Sequence, residues 1–305
     1  MKSEIVVKDG AVYHLGLRAD QLAPQIILVG DPARTESVAS FFDRIEHRAS
    51  HREYVTITGT YKGMSVSVIG TGMSTDNIEI ALMEIYTLLA FDLNTHMRKA
   101  QIPNVTIIRV GTSGGVQADI LPGTFGISNY ALGLDSTGLY FEHPPDDEVV
   151  TRLEADCLRV LNENTPRHFR FYGKLIPYGS KASELIVHAL EQQAKIKDAA
   201  FVTGVTSTTP GFYGPSARFM EGVQNSVPDI KSHLAKVLVD DHRIINMEME
   251  SSLLFHLGSI LGFRCGTICP IISNPSTPNV VIDYQRVVNE AIEVGLEAMW
   301  EVCGI

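Results

Sequence analysis

Residues 105–115, Val-Thr-Ile-Ile-Arg-Val-Gly-Thr-Ser-Gly-Gly, constrain the fold more than any other stretch. They read as a buried strand that ends in a glycine-rich loop. Alternation places Val105, Ile107 and Arg109 on one face and Thr106, Ile108 and Val110 on the other. An arginine next to last on an apolar strand is costly to bury unless an anion meets it. The loop that follows offers exposed amides and two hydroxyls, which suit a phosphate-sized anion. An internal carboxylate paired with Arg109 satisfies the same requirement, so both readings stand at this point.

Around that stretch, strands and helices alternate. A strand is predicted over 26–30, followed by a helix in which Asp31 is the cap and Pro32 the first helical residue. Two strands over 54–60 and 64–70 flank the turn Tyr61-Lys62-Gly63. A helix from Asp76 to residue 91 presents Ile78, Ala81, Leu82, Ile85 and Leu89 on one face. Further strands are predicted over 124–128, 169–176, 200–206, 244–247 and 264–272. Helices are predicted over 146–162, 180–193, 229–239 and 251–263. A C-terminal helix carries Val281, Val288, Ile292, Leu296 and Met299 in one stripe. This alternation, with no repeat and no low-complexity linker, predicts a single α/β domain spanning residues 1–305.

Composition narrows the function classes. The 305 residues carry a formal net charge of −10 and a pI near 5.5. That balance argues against a nucleic-acid binder or an anionic-membrane binder, both of which need a basic footprint. A small anionic ligand needs only a few local arginines. No apolar run approaches membrane-span length, and residues 1–16 lack a signal-peptide core. The four cysteines, Cys157, Cys265, Cys269 and Cys303, form no CxxC pair. A reduced, cytoplasmic protein is therefore expected.

In open α/β sheets ligands sit beyond the carboxyl ends of strands. Four such ends carry polar residues: Gly30-Asp-Pro-Ala-Arg34, Arg109-Val-Gly-Thr-Ser-Gly114, the Phe212-Tyr-Gly loop, and Glu248-Met-Glu250. Arg34 and Arg109 can converge on one anion. Taken alone, Gly-Asp-Pro is more simply a turn and helix cap. Glu250 near a helix N-terminus is expected to stay ionised, because the helix dipole favours its charge. A carboxylate there accepts two hydroxyl hydrogen bonds, as a sugar diol requires, or simply caps the helix. Gly70-Thr-Gly72 is no dinucleotide fingerprint, since Thr75 stands at the third glycine position. His47 and His51 have no acidic ligand set beside them and read as a solvated pair.

Taken in order, His14-Leu-Gly-Leu17, Gly30-Asp-Pro-Ala-Arg34, Ser50-His-Arg-Glu-Tyr54, Arg109-Val-Gly-Thr-Ser-Gly114, Phe212-Tyr-Gly-Pro215 with Arg218, and Asn246-Met-Glu-Met-Glu-Ser251 resemble the nucleoside phosphorylase family. The resemblance is closest to the uridine phosphorylases and covers most of the chain. It implies a central mixed sheet, partly closed into a barrel and flanked by helices. It also implies reversible phosphorolysis of uridine, or deoxyuridine, to free base and pentose 1-phosphate. By the same resemblance, Gly30, Arg34, Arg109 and Thr112 hold phosphate, and Arg52 reaches the phosphate of a neighbouring subunit. His14 reaches the neighbour's ribose, while Glu248, Met249 and Glu250 hold the ribose of their own site. Ser113, Gly114, Phe212, Ser216, Arg218 and Asn274 fall on the base side. The implied catalytic set is Arg109, Glu250 and Arg218. Sites shared in this way imply a homo-oligomer, a dimer or a hexamer.

Inorganic phosphate is the implied co-substrate, with no cofactor and no metal. Glu53 matches a position that holds a monovalent cation between subunits in bacterial members. The partner loop is replaced here by Met73-Ser-Thr-Asp-Asn77, and no ion is expected. Two departures bear on the base. Ser216 stands where uridine phosphorylases carry a glutamine, and Asn274-Pro275 stands in place of Asn-Arg. A purine nucleoside phosphorylase and a non-catalytic nucleoside-binding relative are the alternatives. On this reading an Arg109→Ala variant loses phosphate dependence with little loss of fold.

Overall fold

A computed structural model describes residues 3–142, 147–216 and 218–304. Twelve strands make one mixed sheet: β1 (Gln25–Val29), β2 (Arg44–His51), β3 (Tyr54–Tyr61), β4 (Met64–Gly70), β5 (Thr106–Val110), β6 (Ser113–Gly115), β7 (Phe125–Gly133), β8 (Tyr178–Lys181), β9 (Phe201–Thr208), β10 (Leu238–Val239), β11 (His242–Glu248) and β12 (Arg264–Ser273). Strands β4, β1, β5 and β12 run parallel to their neighbours in that order. Strands β3 and β2 extend the sheet antiparallel beyond β4. At the other end β7, β9, β11, β6 and β12 pair in sequence, and β12 returns to pair with β7. This ring is the expected partial barrel.

Among the described residues, seven α-helices flank the sheet: α1 (Arg34–Ala39), α2 (Thr75–Ala90), α3 (Glu148–Asn164), α4 (Glu184–Ile196), α5 (Ile230–Leu234), α6 (Ser251–Leu261) and α7 (Tyr284–Cys303). Alternation along β5 sorts the core. Ile108 and Val110 pack with Val288, Ile292 and Leu296 of α7, whereas Val105 and Ile107 pack with Ile78 and Leu82 of α2 and Leu254 of α6. Each such aliphatic side chain contributes roughly 1.5–3 kcal/mol relative to exposure. Gly295 lets α7 approach closely, since a Cβ there would lie 2.9 Å from Val110 Cγ2. Arg109 shares the α2/α6 face, as the alternation predicts, and so points towards the start of α6.

Several local expectations change. Residues 169–173 fold into successive turns rather than a strand, with Phe169 N–H bonded to Pro166 O and Tyr172 N–H to Phe169 O. The sheet edge is filled instead by β8, which takes residues predicted to start α4. The helix predicted over 229–239 stops at Leu234, because Leu238 and Val239 pair with Arg243 and His242. Strand β2 was not predicted, since its residues are mostly exposed and polar. The helix predicted over 146–162 begins at Glu148, capped by Asp147 accepting from Val149 and Val150 N–H; residue 146 lies outside the described residues. Asp283 caps α7, which leaves Val281 outside the helix and exposed. Helix α1 starts at Arg34, after a turn in which Asp31 Oδ1 accepts from Ala33 N–H at 2.9 Å.

Among the described residues no helix is long and apolar enough to cross a membrane. All four cysteines are free, and three of them are buried.

Candidate active site

The carboxyl ends of β1, β5, β9, β11 and β12 open onto one cleft of about 480 Å³. All four polar strand ends singled out in the sequence reach it. Gly30 and Arg34 come from the β1 loop, Arg109, Thr112, Ser113 and Gly114 from β5 and its loop, and Phe212, Ser216 and Arg218 from the loop after β9. Glu248, Met249 and Glu250 come from the junction of β11 and α6.

Arg109 is the centre of the site and is 4% exposed. Its Nη2 donates to Glu250 Oε2, and its Nη1 lies 3.1 Å from Glu248 Oε2 and 3.1 Å from Cys269 Sγ. The internal carboxylate that the strand pattern allowed is therefore present. It comes from the two glutamates implicated in sugar binding. Burial works against the charge on Arg109, but Glu250 and then Glu248 outweigh it and keep the guanidinium pKa above its ordinary value. Burial pushes the Cys269 thiol up to about 11, so it meets Arg109 as a neutral group.

The two glutamates have different duties. Glu248 accepts from Thr208 Oγ1 at 2.6 Å and from Glu250 N–H and Ser251 N–H, and so caps the start of α6. Glu250 occupies the cap position itself and accepts from Ser74 N–H at 2.9 Å. Burial pushes the Glu250 carboxyl above the ordinary carboxylate range; Arg109 opposes that shift and Glu248 adds to it. The sequence pattern predicts an ionised Glu250 at the helix terminus; burial works against that charge, and Arg109 and Ser74 N–H work for it. Two carboxylates around one guanidinium carry an excess negative charge, so the group takes up a proton more readily than an isolated carboxyl.

Arg34 is also buried. Its Nη1 donates to Val110 O at 3.2 Å and its Nη2 to Tyr284 Oη at 3.0 Å. Neither partner is anionic, and among the described residues no carboxylate forms an ion pair with Arg34. In the same cleft, Arg218 stacks on Phe212 with its Cζ 3.8 Å from the ring centroid and donates from Nε to Phe212 O. Ser216 Oγ donates to Gly211 O at 3.0 Å. Ser113 Oγ accepts from Asn246 Nδ2 at 2.9 Å, which fixes the loop after β5.

Three predicted site residues lie elsewhere. Asn274 is buried with its amide fully used: Nδ2 donates to Gln117 O and Ile120 O, and Oδ1 accepts from Ser276 N–H. Its position does not support a role in meeting the base. His14 and Arg52 do not line this cleft. His14 Nδ1 lies 2.8 Å from Glu84 Oε1, while Arg52 donates to Tyr13 Oη and stacks on its ring. His51 Nδ1 lies 2.9 Å from His14 O, so the two segments form one patch. Conversely, Lys231 and Tyr284 line the cleft without having been singled out. No local pattern marks either, because each arrives from a distant helix. Among the described residues no group of three His, Cys, Asp or Glu side chains could hold a metal.

A ringed α/β sheet with two buried arginines and a buried carboxylate pair at its strand ends defines a phosphorylase-type fold. The sequence profile of the phosphorylase superfamily matches residues 24–301, and the chain belongs to that superfamily. The chain is similar to the uridine phosphorylase of Thermococcus kodakarensis, with 29% identity over 273 residues, 88% of this chain and 80% of that protein. It is equally similar to the uridine phosphorylase of Treponema pallidum, 29% identical over 304 residues, covering 97% of this chain and 96% of that one. Among solved structures, a Trypanosoma brucei nucleoside phosphorylase described as showing uridine phosphorylase activity superposes with a TM-score of 0.84. Its identity is 28%, with 97% of this chain and 99% of that chain covered.

Proposed function

We propose that the protein is a pentosyltransferase that catalyses the reversible phosphorolysis of uridine, and of deoxyuridine, to uracil and (deoxy)ribose 1-phosphate. The observation that carries this reading is the meeting of Arg109 with Glu250 in a cleft that Arg34 also lines. Superfamily membership and the uridine phosphorylase relatives support it.

The chemistry follows from charge. The C1′–N1 bond breaks with its electron pair moving to the base, which leaves positive charge on the sugar. A phosphate oxygen then supplies the pair that forms the new C1′–O bond. Arg34, Arg109, Thr112 and the Gly30 loop position the phosphate, so proximity and charge provide much of the rate. Glu250 takes the ribose hydroxyls, with Met249 against the ring and Glu248 holding the turn. Phe212 packs on the nucleoside, Arg218 offsets negative charge on the base, and Ser113, Gly114 and Ser216 line the base side. Phosphate is the co-substrate and no cofactor takes part.

The chain works as one domain over residues 1–305, in the cytoplasm, in pyrimidine salvage. His14 and Arg52, gathered in one patch away from their own cleft, complete the site of a neighbouring subunit in a homodimer or hexamer. The test is phosphate-dependent base release across uridine, deoxyuridine, inosine and adenosine. Uracil release from the first two should dominate. Faster turnover of inosine or adenosine would make the enzyme a purine nucleoside phosphorylase, and nucleoside binding without turnover would make it a binding protein.

A further inference from the structure

Lys231 lines the same cleft as the Arg109 cluster. It follows Ile230 in α5, whose buried Ile230 and Leu234 anchor the short helix beside Val227 and Val237. Asp229, at φ 50°, turns the chain into that helix. The Lys231 amine rests over Gly114, where a Cβ would lie 3.3 Å from Nζ. Two influences lower its pKa: burial first, then the positive charge of Arg218. Among the described residues, then, no carboxylate offsets this half-buried cation. Of the acidic groups that line the cleft, Glu248 and Glu250 are engaged with Arg109, and Asp31 caps its own turn by accepting from Ala33 N–H.

Two neighbouring cations that form no ion pair among the described residues make a site for an electron-rich acceptor. With phosphate at Arg34 and Arg109 and ribose at Glu250, the space by Gly114 falls to the base. We propose that Lys231 is a base-binding residue that donates a charge-assisted hydrogen bond to a carbonyl oxygen of the pyrimidine. This rests on the phosphorolysis reading above. Ser216 is too short to grip the base, and Asn274 is turned away with its amide satisfied. Lys231 supplies the missing polar contact. As the C1′–N1 bond breaks, its electron pair spreads over the ring nitrogen and the carbonyl oxygens of the departing uracil. The ammonium stabilises that charge, and its proton stays on the lysine.

The experiment compares Lys231→Met, Lys231→Gln and Lys231→Arg with the unmodified protein on uridine and on 5-fluorouridine, at saturating phosphate. In Lys231→Met, kcat/KM for uridine should fall about tenfold to a hundredfold, the range of a charge-assisted hydrogen bond. The KM for phosphate should stay within twofold. The loss should be smaller for 5-fluorouridine, whose ring carries the departing charge better unaided. Lys231→Arg should recover part of the loss, and Lys231→Gln, which keeps a neutral donor, should fall between. A uridine kcat/KM within twofold in both Lys231→Met and Lys231→Gln overturns the assignment, as do equal losses on the two substrates. If the unmodified protein releases no uracil from uridine, the phosphorolysis reading falls and the assignment falls with it. An active parent with unaffected variants overturns the lysine alone.

Discussion

Gly111 makes room for the guanidinium of Arg109. A Cβ on Gly111 would lie 2.6 Å from Arg109 Cζ and 2.8 Å from Nη2, so the loop and the arginine are built around one another. Gly111→Ala is therefore expected to push Arg109 away from Glu250. Overpacking at a buried position costs about 1–3 kcal/mol. Steady-state kinetics should show a fall in kcat/KM for phosphate of at least about a hundredfold, the scale of a lost transition-state donor. Thermal denaturation should separate that loss from the stability cost.

Removing Arg109 is expected to damage the fold as well as the chemistry. The sequence suggested that Arg109→Ala would leave the fold almost intact. The structure argues otherwise, because the substitution leaves Glu248 and Glu250 buried without their counter-charge. Breaking a buried pair in this way costs about 3–5 kcal/mol. The pH dependence has a definite sign. Without Arg109 the Glu250 carboxyl is raised further in the folded state, so its protonated form is the one the fold tolerates. The variant should lie nearest the parent in acid, below the unfolded carboxyl pKa. It should lose ground as pH rises through the raised folded value. Denaturant midpoints measured at pH 5 and pH 8 check this.

Glu250→Gln keeps the side-chain shape and an acceptor for Ser74 N–H. It removes the charge that faces the ribose. The expected outcome is a fall in kcat/KM for uridine of about tenfold to a hundredfold, with the KM for phosphate much less affected. Burial raises the Glu250 pKa. In the parent enzyme, activity that needs the carboxylate should therefore decline on the acid side at a higher pH than for an ordinary glutamate. A pH–rate profile of the Gln variant should lack that limb.

Asn274→Ala is expected to behave as a structural lesion. The amide satisfies the half-buried carbonyl of Gln117, the buried carbonyl of Ile120 and the Ser276 N–H. Leaving buried polar groups unpaired costs about 1–3 kcal/mol. The uridine KM should change by less than about threefold, below the roughly tenfold effect of a lost base contact. A large uridine KM effect with unchanged stability would return Asn274 to the base side.

Much of the cleft was legible because its residues sit at strand ends with strong local signals. Arg109 stands out as a charge on an apolar strand, and Glu248-Met-Glu250 as a carboxylate pair before a core helix. The mixed character of the sheet and its ring were less accessible to local pattern. Closure depends on β7 pairing with β12, residues well over a hundred positions apart, and periodicity carries no information about such partners. Local preference also misled at 169–173, where aromatic residues favour a strand but the chain closes into turns. Strand β2 was missed for the opposite reason, since an exposed edge lacks alternation. Lys231 was invisible because a lone lysine on a short helix has no signature until the fold sets it above Gly114. The hydrogen-bonding of Asn274 is not legible in the sequence, because nothing local tells an asparagine facing a ligand from one holding two carbonyls.

The central claim is that Arg34 and Arg109 hold a phosphate that attacks a ribose held by Glu250. Its most direct test is the rate of uracil release from uridine as phosphate is varied from zero to saturation, with ribose 1-phosphate assayed in parallel. The account predicts negligible release without phosphate, a saturable rise with it, and one ribose 1-phosphate formed for each uracil. Uracil release at the same rate without phosphate, with free ribose as the product, would contradict it.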